Sequence, residues 1–338
     1  MGNKNLTWVV ITSIYKPNMR LSEYLHLGWR VVIVSDKKTD EKNFLDHLPS
    51  GIDFFSVDEQ ISLYPELSAL IGFNTYARKN LGYLFAFENG ATRIWDTDDD
   101  TFLRVLDRDP VDIINSDNVF EVSGGKYFNP YLQFAPKSEL WPRGYPLKRV
   151  ASDKVSSPAD QQLTPATFVN LDIIQTLVNL EPDLDSIYRL TISDEIQEFP
   201  MSDRLIILKK GTWAPGNTQS TMWLNRKKFS FLYLPSTVSF RFCDILKMYI
   251  AQKECSLGYM GFVTEQNRNP HDYLDDFKSE IDCFLKTDLL IDILESSETK
   301  KVSKIYKEIS MAGICSSKEV ELAEIFEESI NSKLNKMT

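Results

Sequence analysis

A chain of 338 residues exceeds the usual single-domain size, so one large α/β domain with additions, or two domains, is expected. A hydrophobic fraction of 43% with 12% aromatics suits a filled core and excludes a disordered chain, while a net charge of −10 argues against a nucleic-acid partner. Cys243, Cys255, Cys283 and Cys315 lack metal-type spacing and form no dense disulfide framework, which predicts free thiols in a reducing compartment.

"TWVVITSIY" (7–15) is β-branched and apolar, reads as a buried strand, and stops at Pro17. A short helix around 19–27 and a second apolar strand, "RVVIVS" (30–35), follow, the latter ending at Asp36. This β-α-β opening leaves polar residues at both strand ends, where doubly wound sheets bind ligands. The spacing over 74–91 predicts a helix with Tyr76, Leu81, Leu84 and Phe85 on one face, closed by Asn89-Gly90. "TRIW" (92–95) is the next strand, with four carboxylates just past it. The alternation predicts an α/β fold whose sheet is mostly parallel and flanked by helices.

From 103 to 160 the chain reads as loop, with an aromatic and proline-rich stretch over 124–147 that resembles a binding lobe. Residues 164–191 mix strand and helix signals, and 202–240 is strand-rich around the loop "GTWAPGNTQSTMW". "FCDILKMYIAQKEC" (242–255) is expected as an amphipathic helix with Asp244 in its first turn, and the chain from about 275 as charged helix. There is no internal repeat. The opening residues do not read as a signal peptide, and no run approaches the roughly 20 apolar residues of a membrane span, so a cytoplasmic protein is the expectation.

Asp96, Asp98, Asp99 and Asp100 repel one another and raise each other's pKa unless something positive joins them. An EF-hand loop fails because Thr101 stands at the glycine position, Asp107 at the bidentate glutamate position, and a strand precedes. The aspartyl-phosphate hydrolase pattern fails because Asp100 or Phe102 stands where Thr or Val is required. A nucleotide-sugar site fits better: a strand delivers a D-x-D set to its edge, and Mn²⁺ or Mg²⁺ on those oxygens clamps a diphosphate. The bland alternative, an acidic turn with Asp100 capping a helix, does not need four carboxylates.

"YARKNLGYLFAFENGATRIWDTDDDT" (76–101) closely resembles the central motif of the STELLO-like glycosyltransferases and, more distantly, the plant reversibly glycosylated polypeptides, which are UDP-arabinopyranose mutases. "VVIVSDKKTD", "YFNPYLQFAPKSELWPRGYPL", "DLDSIYRLT", "WAPGNTQST", "STVSFRFCDILKMYIAQ" and "RNPHDYLDDF" resemble further blocks of that family in its order, over roughly residues 7–290. The resemblance implies a GT-A fold over 1–275, with a nucleotide-sugar-binding half (1–105) and an acceptor-binding half (106–275), and a helical extension over 276–338. The plant members carry membrane-anchoring segments that this chain lacks, so their Golgi location is not expected to transfer.

The same resemblance implies the site residues. Asp36 would bind base or ribose, with Thr12 and Ser13 beside it. Arg78 or Lys79, about 100° apart on a helix, would face the diphosphate, and Asn80 and Gly82 match an "RN-x-G" segment. Asp98 and Asp100 would form the metal-binding pair, Asp98 and Asp99 would also face the donor, and Asp96 would be structural. Asp244, with Arg241 beside it, is the expected base at the acceptor hydroxyl; Asp183 and Asp185 are second choices, with Arg189 as a partner. Trp213, Asn217, Gln219 and Trp223 would line the acceptor pocket, and Trp141 and Arg143 a lid or scaffold. His26, His47 and His271 have no metal spacing, so zinc is not expected.

The leading expectation is therefore a metal-dependent, inverting glycosyltransferase. It would move galactose, galactofuranose or glucose from a UDP-sugar to a cell-surface polysaccharide or lipid-linked glycan, such as O-antigen or capsule. Its C-terminal helices would make any peripheral contact with the plasma membrane's inner face or with a partner enzyme. Two alternatives stay open. One is a UDP-sugar pyranose/furanose mutase, for which the sequence marks no glycosyl-accepting arginine; the other is an inactive scaffold, against which the intact acidic set speaks.

Overall fold

The computed structural model describes residues 6–105, 107–122, 124–135, 140–150, 161–167, 170–192, 198–267 and 272–337. His271 and parts of the 124–147 and 268–277 blocks lie outside the described residues.

The described residues build one mixed sheet of eleven strands. In chain order these are β1 (Thr7–Thr12), β2 (Arg30–Val34), β3 (Ile52–Phe55), β4 (Arg93–Thr97), β5 (Thr101–Leu103), β6 (Val119–Val122), β7 (Leu163–Pro165), β8 (Ile173–Asn179), β9 (Leu205–Ile207), β10 (Ser220–Trp223) and β11 (Leu257–Gln266). Their spatial order is β3-β2-β1-β4-β10-β8-β11-β9-β6-β7, with β5 paired to the end of β11. The first four are parallel, as the opening pattern predicts. β10 then runs antiparallel to both β4 and β8, and β11 lies parallel to β8.

Period-two alternation divides the apolar side chains between the two faces. Trp8, Val10, Val32 and Val34 enter one core, and Val9, Ile11, Val31 and Ile33 the other. The helix Lys79–Glu88 lies on the first face, preceded by a 3₁₀ turn at Tyr76–Arg78. Gly82 permits this packing, since a Cβ there would meet Val34 Cγ2 at 2.5 Å and Val10 Cγ1 at 2.7 Å. The helix has no wet face of the expected kind: Lys79 to Leu84, Ala86 and Phe87 are all buried, while Phe85 is only half-buried. The helix Lys318–Met337 covers its outer side.

Three helices end the chain, Tyr273–Ser296, Val302–Met311 and Lys318–Met337. They bury Leu290, Ile291, Ile305, Tyr306, Leu322 and Phe326 in the same core as β1 and β2. The boundary expected at 275/276 falls within the first turn of the first of them. Glu319, fully buried, accepts from the Ser236 and Thr237 N–H groups at 2.8 and 2.6 Å and from the Tyr233 hydroxyl, tying the last helix to the central domain.

Two sequence expectations shift. β4 runs on to Thr97, so Asp96 lies inside the strand rather than beyond it. The helix expected at 242–255 is Phe240–Gln252, with Ser239 at its N-terminal boundary, which moves Asp244 out of the first turn. Residues 241–251 are buried on every side of that helix, so it is a core helix and not an amphipathic surface one. All four cysteines are free and buried.

Candidate active site

The carboxyl ends of β1, β2, β4, β8 and β11 and the start of β10 open on the same edge of the sheet. A cleft of about 620 Å³ lies there, within the size range of small-molecule sites. Its lining joins Thr12, Asp36, Arg78, Asp98, Asp99 and Asp100 from the first half to Gln219, Arg241 and Asp244 from the second. Lys79, Trp213 and Asn217 are not part of that lining.

Each carboxylate of the cluster has its own setting. Asp96 is fully buried between two ammonium groups, with Lys79 Nζ at 2.8 Å and Lys247 Nζ at 2.6 Å, and accepts from the Tyr83 hydroxyl at 2.8 Å. Burial would drain the charge from Lys79, but Asp96 and Asp98 outweigh it and hold the amine protonated. Burial wins at Lys247 and brings its pKa down, against the pull of Asp96. The cation that the acidic run called for is thus partly internal, and it serves the structural member of the set.

Asp98 accepts from the Tyr76 hydroxyl at 2.5 Å and sits 3.5 Å from Lys79. Burial pushes its carboxyl up to about 6, Lys79 and the Tyr76 hydroxyl pulling it down while Asp100 and Asp96 add to the rise. Asp99 accepts from Ser13 Oγ at 2.5 Å at the tip of β1, and burial raises it against that hydrogen bond. Asp100 accepts from Gln266 Nε2 at 2.8 Å.

At the end of β2, Asp36 accepts from the Lys37 N–H at 2.7 Å and the Thr75 N–H at 3.1 Å, which pins the 74–76 segment over the strand ends. Of Arg78 and Lys79, only Arg78 reaches the cleft wall. Its guanidinium donates to Gln60 Oε1 through two nitrogens, to the Gly72 carbonyl at 2.7 Å and to Ser68 Oγ at 3.2 Å. Four of its five N–H groups are therefore held by the protein. Asn80 points away from the cleft and pins Leu234 through both backbone groups, at 2.7 and 2.8 Å.

The second half contributes a buried ionic network. Arg143 makes bidentate contacts with Asp244 at 2.7 and 2.8 Å and with Asp183 at 2.8 Å through two nitrogens, and also donates to the Arg241 carbonyl. Arg241 is held by Glu280 at 2.6 Å, from the helix Tyr273–Ser296. Burial pushes the Asp183 carboxyl up, but Arg143 and Arg241 outweigh it and hold it below the usual carboxylate range. Asp185 lies off the cleft: it caps the helix Ser186–Thr191 and accepts from the Trp141 indole at 2.5 Å. Burial pushes it up to about 7 against those hydrogen bonds.

Trp213 donates its indole N–H to Glu295 at 2.9 Å, and Trp223 is core. Asn217 lies behind the cleft wall and donates to Asp183 at 2.8 Å, while Gln219 is on the wall itself. Sequence reasoning missed Tyr76, Lys247, Phe240 and Gln266. Phe240 is the one with a readable signal, an aromatic residue beside Arg241 that stays 60% exposed at the head of a buried helix, edge-on to Tyr76 at 5.3 Å.

A parallel first half, an acidic turn at the end of its last strand and a second half completing one cleft make an α/β fold consistent with GT-A. No family model matches the chain. Over 264 residues it is 26% identical to two Arabidopsis thaliana proteins, "Probable glycosyltransferase STELLO1" and "Probable glycosyltransferase STELLO2", a match that takes in 73% of this chain and 33% of each relative. The chain thus spans about a third of the length of the curated relatives it matches. Over that stretch the chain is similar to these two STELLO proteins, which supports a STELLO-like glycosyltransferase. Among the described residues, no helix is long and apolar enough to cross a membrane.

Proposed function

We propose that this chain is a metal-dependent glycosyltransferase that moves a hexose, galactose in either ring form or glucose, from a UDP-sugar to a glycan hydroxyl. The observation that carries the reading is the shared cleft, where the acidic turn faces Asp244 and Arg241 across a space of about 620 Å³. Its wall carries eight carboxylates against five lysine and arginine side chains, so an anionic diphosphate meets an acidic surface. A divalent cation resolves that conflict.

The donor set fits such an ion. Asp98, Asp99 and Asp100 supply hard oxygens, and internal lysine charge is directed at Asp96 and Asp98. The described residues form no ready cluster of three metal-ligating side chains. Mn²⁺ or Mg²⁺ needs fewer, because phosphate oxygens and water complete its shell. Asp98 and Asp100 would hold the ion, whose chemistry is to neutralise charge on the departing diphosphate.

The remaining work falls to the chain itself. Thr12 and Asp36 bind the nucleoside at the ends of β1 and β2. Phe240 offers an apolar ring face beside the acidic turn, suited to the apolar face of a sugar. Asp244 takes the proton of the acceptor hydroxyl as the new bond to the anomeric carbon forms and the bond to the diphosphate breaks, which inverts the configuration. Arg143 orients that carboxylate. The acceptor is a cell-surface or lipid-linked glycan; Leu274, Ile281, Leu285 and Leu289 leave an apolar stripe exposed on the helix Tyr273–Ser296 for contact with its lipid.

Incubation with a panel of UDP-sugars, with and without Mn²⁺, tests the reading. Metal-dependent release of UDP that Asp100→Ala abolishes without lowering the melting temperature supports it. Ring interconversion would make the chain a mutase, and turnover indifferent to Asp100 would remove the metal assignment.

A further inference from the structure

We infer that Gln266 is a positioning residue for Asp100: its side-chain amide, itself oriented by Gln219, sets the rotation of the carboxylate that meets the cation. The inference rests on the metal reading above.

The fold brings these residues together from distant parts of the chain. After β4 the acidic turn spans Asp98 to Asp100, and β5 leaves β4 to pair with the end of β11, placing Gln266 opposite Thr101. The end of β11 is re-aimed by a register shift between Met260 and Thr264, where Phe262 adopts φ +35. That unfavourable backbone is held by the Phe262 ring, stacked 4.3 Å from Phe199, and by its carbonyl, which accepts from Arg104 at 3.0 Å.

A directed chain of carboxamides then crosses the cleft wall. Gln219 Nε2 donates to the Glu181 carbonyl at 3.2 Å and to Gln266 Oε1 at 2.5 Å, and Gln266 Nε2 donates to Asp100 Oδ1 at 2.8 Å. Neither amide can be turned over. Reversing Gln266 would set its oxygen against a carboxylate, and reversing Gln219 would set its oxygen against a carbonyl. The acceptors at the two ends thus fix both orientations, and Asp100 receives a donor that cannot rotate away.

The backbone of the turn does not depend on this chain. β5 pairs with β11 through its own ladder, and the Asn267 N–H donates to the Asp100 carbonyl at 3.1 Å. Thr101 Oγ1 also donates to Asp100 Oδ1, at 3.4 Å, so loss of the Gln266 amide removes the shorter of these two bonds to that oxygen while leaving the main chain in place. Partners one step removed from a metal typically change its affinity by about 10- to 100-fold when lost.

The test is Mn²⁺ binding to the full chain without donor, followed by electron paramagnetic resonance of the free ion, for wild type, Gln266→Met, Gln219→Met and Asp100→Ala. Both glutamine variants keep side-chain length and remove the donor. Gln266→Met is expected to bind Mn²⁺ about 10- to 100-fold more weakly, with its unfolding midpoint unchanged and kcat largely recovered at saturating Mn²⁺. Gln219→Met, which releases Gln266, should fall between it and wild type. Wild-type affinity in both glutamine variants, with loss in Asp100→Ala, would overturn the positioning role and leave the metal reading standing. Binding equal in wild type and Asp100→Ala would remove both. If Gln266→Met unfolds early, Gln219→Met decides alone.

Discussion

Replacing Arg143 by alanine tests the electrostatics of the second half of the cleft. The guanidinium is 5% exposed and faces two carboxylates, Asp183 and Asp244, that are 10% and 9% exposed at 2.8 and 2.7 Å. Removing it strands two buried negative charges, and the other nearby guanidinium, Arg241, is 3.9 Å from Asp183 and already committed to Glu280. Breaking a buried ion pair from one side costs about 3–5 kcal/mol, and for a chain of this size that corresponds to roughly 6–10 °C in melting temperature. The pH dependence has a definite sign. Asp183 is held below its usual range in the folded state, so its contribution is present above its unfolded pKa of about 4 and is lost as pH falls through the folded value. Arg143→Ala forfeits that contribution, so wild type and variant should differ most near pH 7 and converge below about pH 4. Urea unfolding followed by tryptophan fluorescence at several pH values reads both effects. A loss under about 1 kcal/mol, or a gap that does not shrink in acid, would refute the account of a stranded buried charge pair.

Three further outcomes are expected. Gly82→Ala forces a methyl to within 2.5 Å of Val34 and 2.7 Å of Val10, so calorimetry should show a loss of about 1–3 kcal/mol; an unchanged midpoint would mean the helix can lift off the sheet freely. Glu319→Ala leaves the Ser236 and Thr237 N–H groups and the Tyr233 hydroxyl without their acceptor. It should cost about 3 kcal/mol and expose the link before Lys318 to limited proteolysis, whereas a wild-type digestion pattern would show that the last helix is held by its apolar face alone. Phe240→Ala should raise the acceptor KM about fivefold while leaving UDP-sugar hydrolysis in the absence of acceptor unchanged, because an aromatic contact of this kind contributes about 1 kcal/mol; an equal loss in both reactions would assign the ring to the donor.

What could be read from the sequence was whatever depends on neighbours along the chain. The alternating strands 7–12 and 30–34, the apolar helix after Lys79 and the acidic run are local patterns, and the parallel sheet with its ligand edge follows from them. Partners far apart were not readable. Trp213 looked like a sugar platform until Glu295, 82 residues later, turned its indole away from the cleft. Asp244 looked like a helix-opening residue because the apolar period begins clearly only after Phe240, an aromatic side chain left in solvent at 60% exposure. Lys79 and Lys247 show why charge pattern alone misleads here. Lys79 was expected at the diphosphate and Lys247 lay in a helix expected to be amphipathic, yet both end within 2.8 Å of Asp96. Their positive charge lies beneath the acidic turn and is largely spent on the member that never reaches the cleft. Asp98, 3.5 Å from Lys79, is still pushed up by burial and by its carboxylate neighbours. At Asp100 the fold brings the amide of Gln266, a donor that orients the carboxylate.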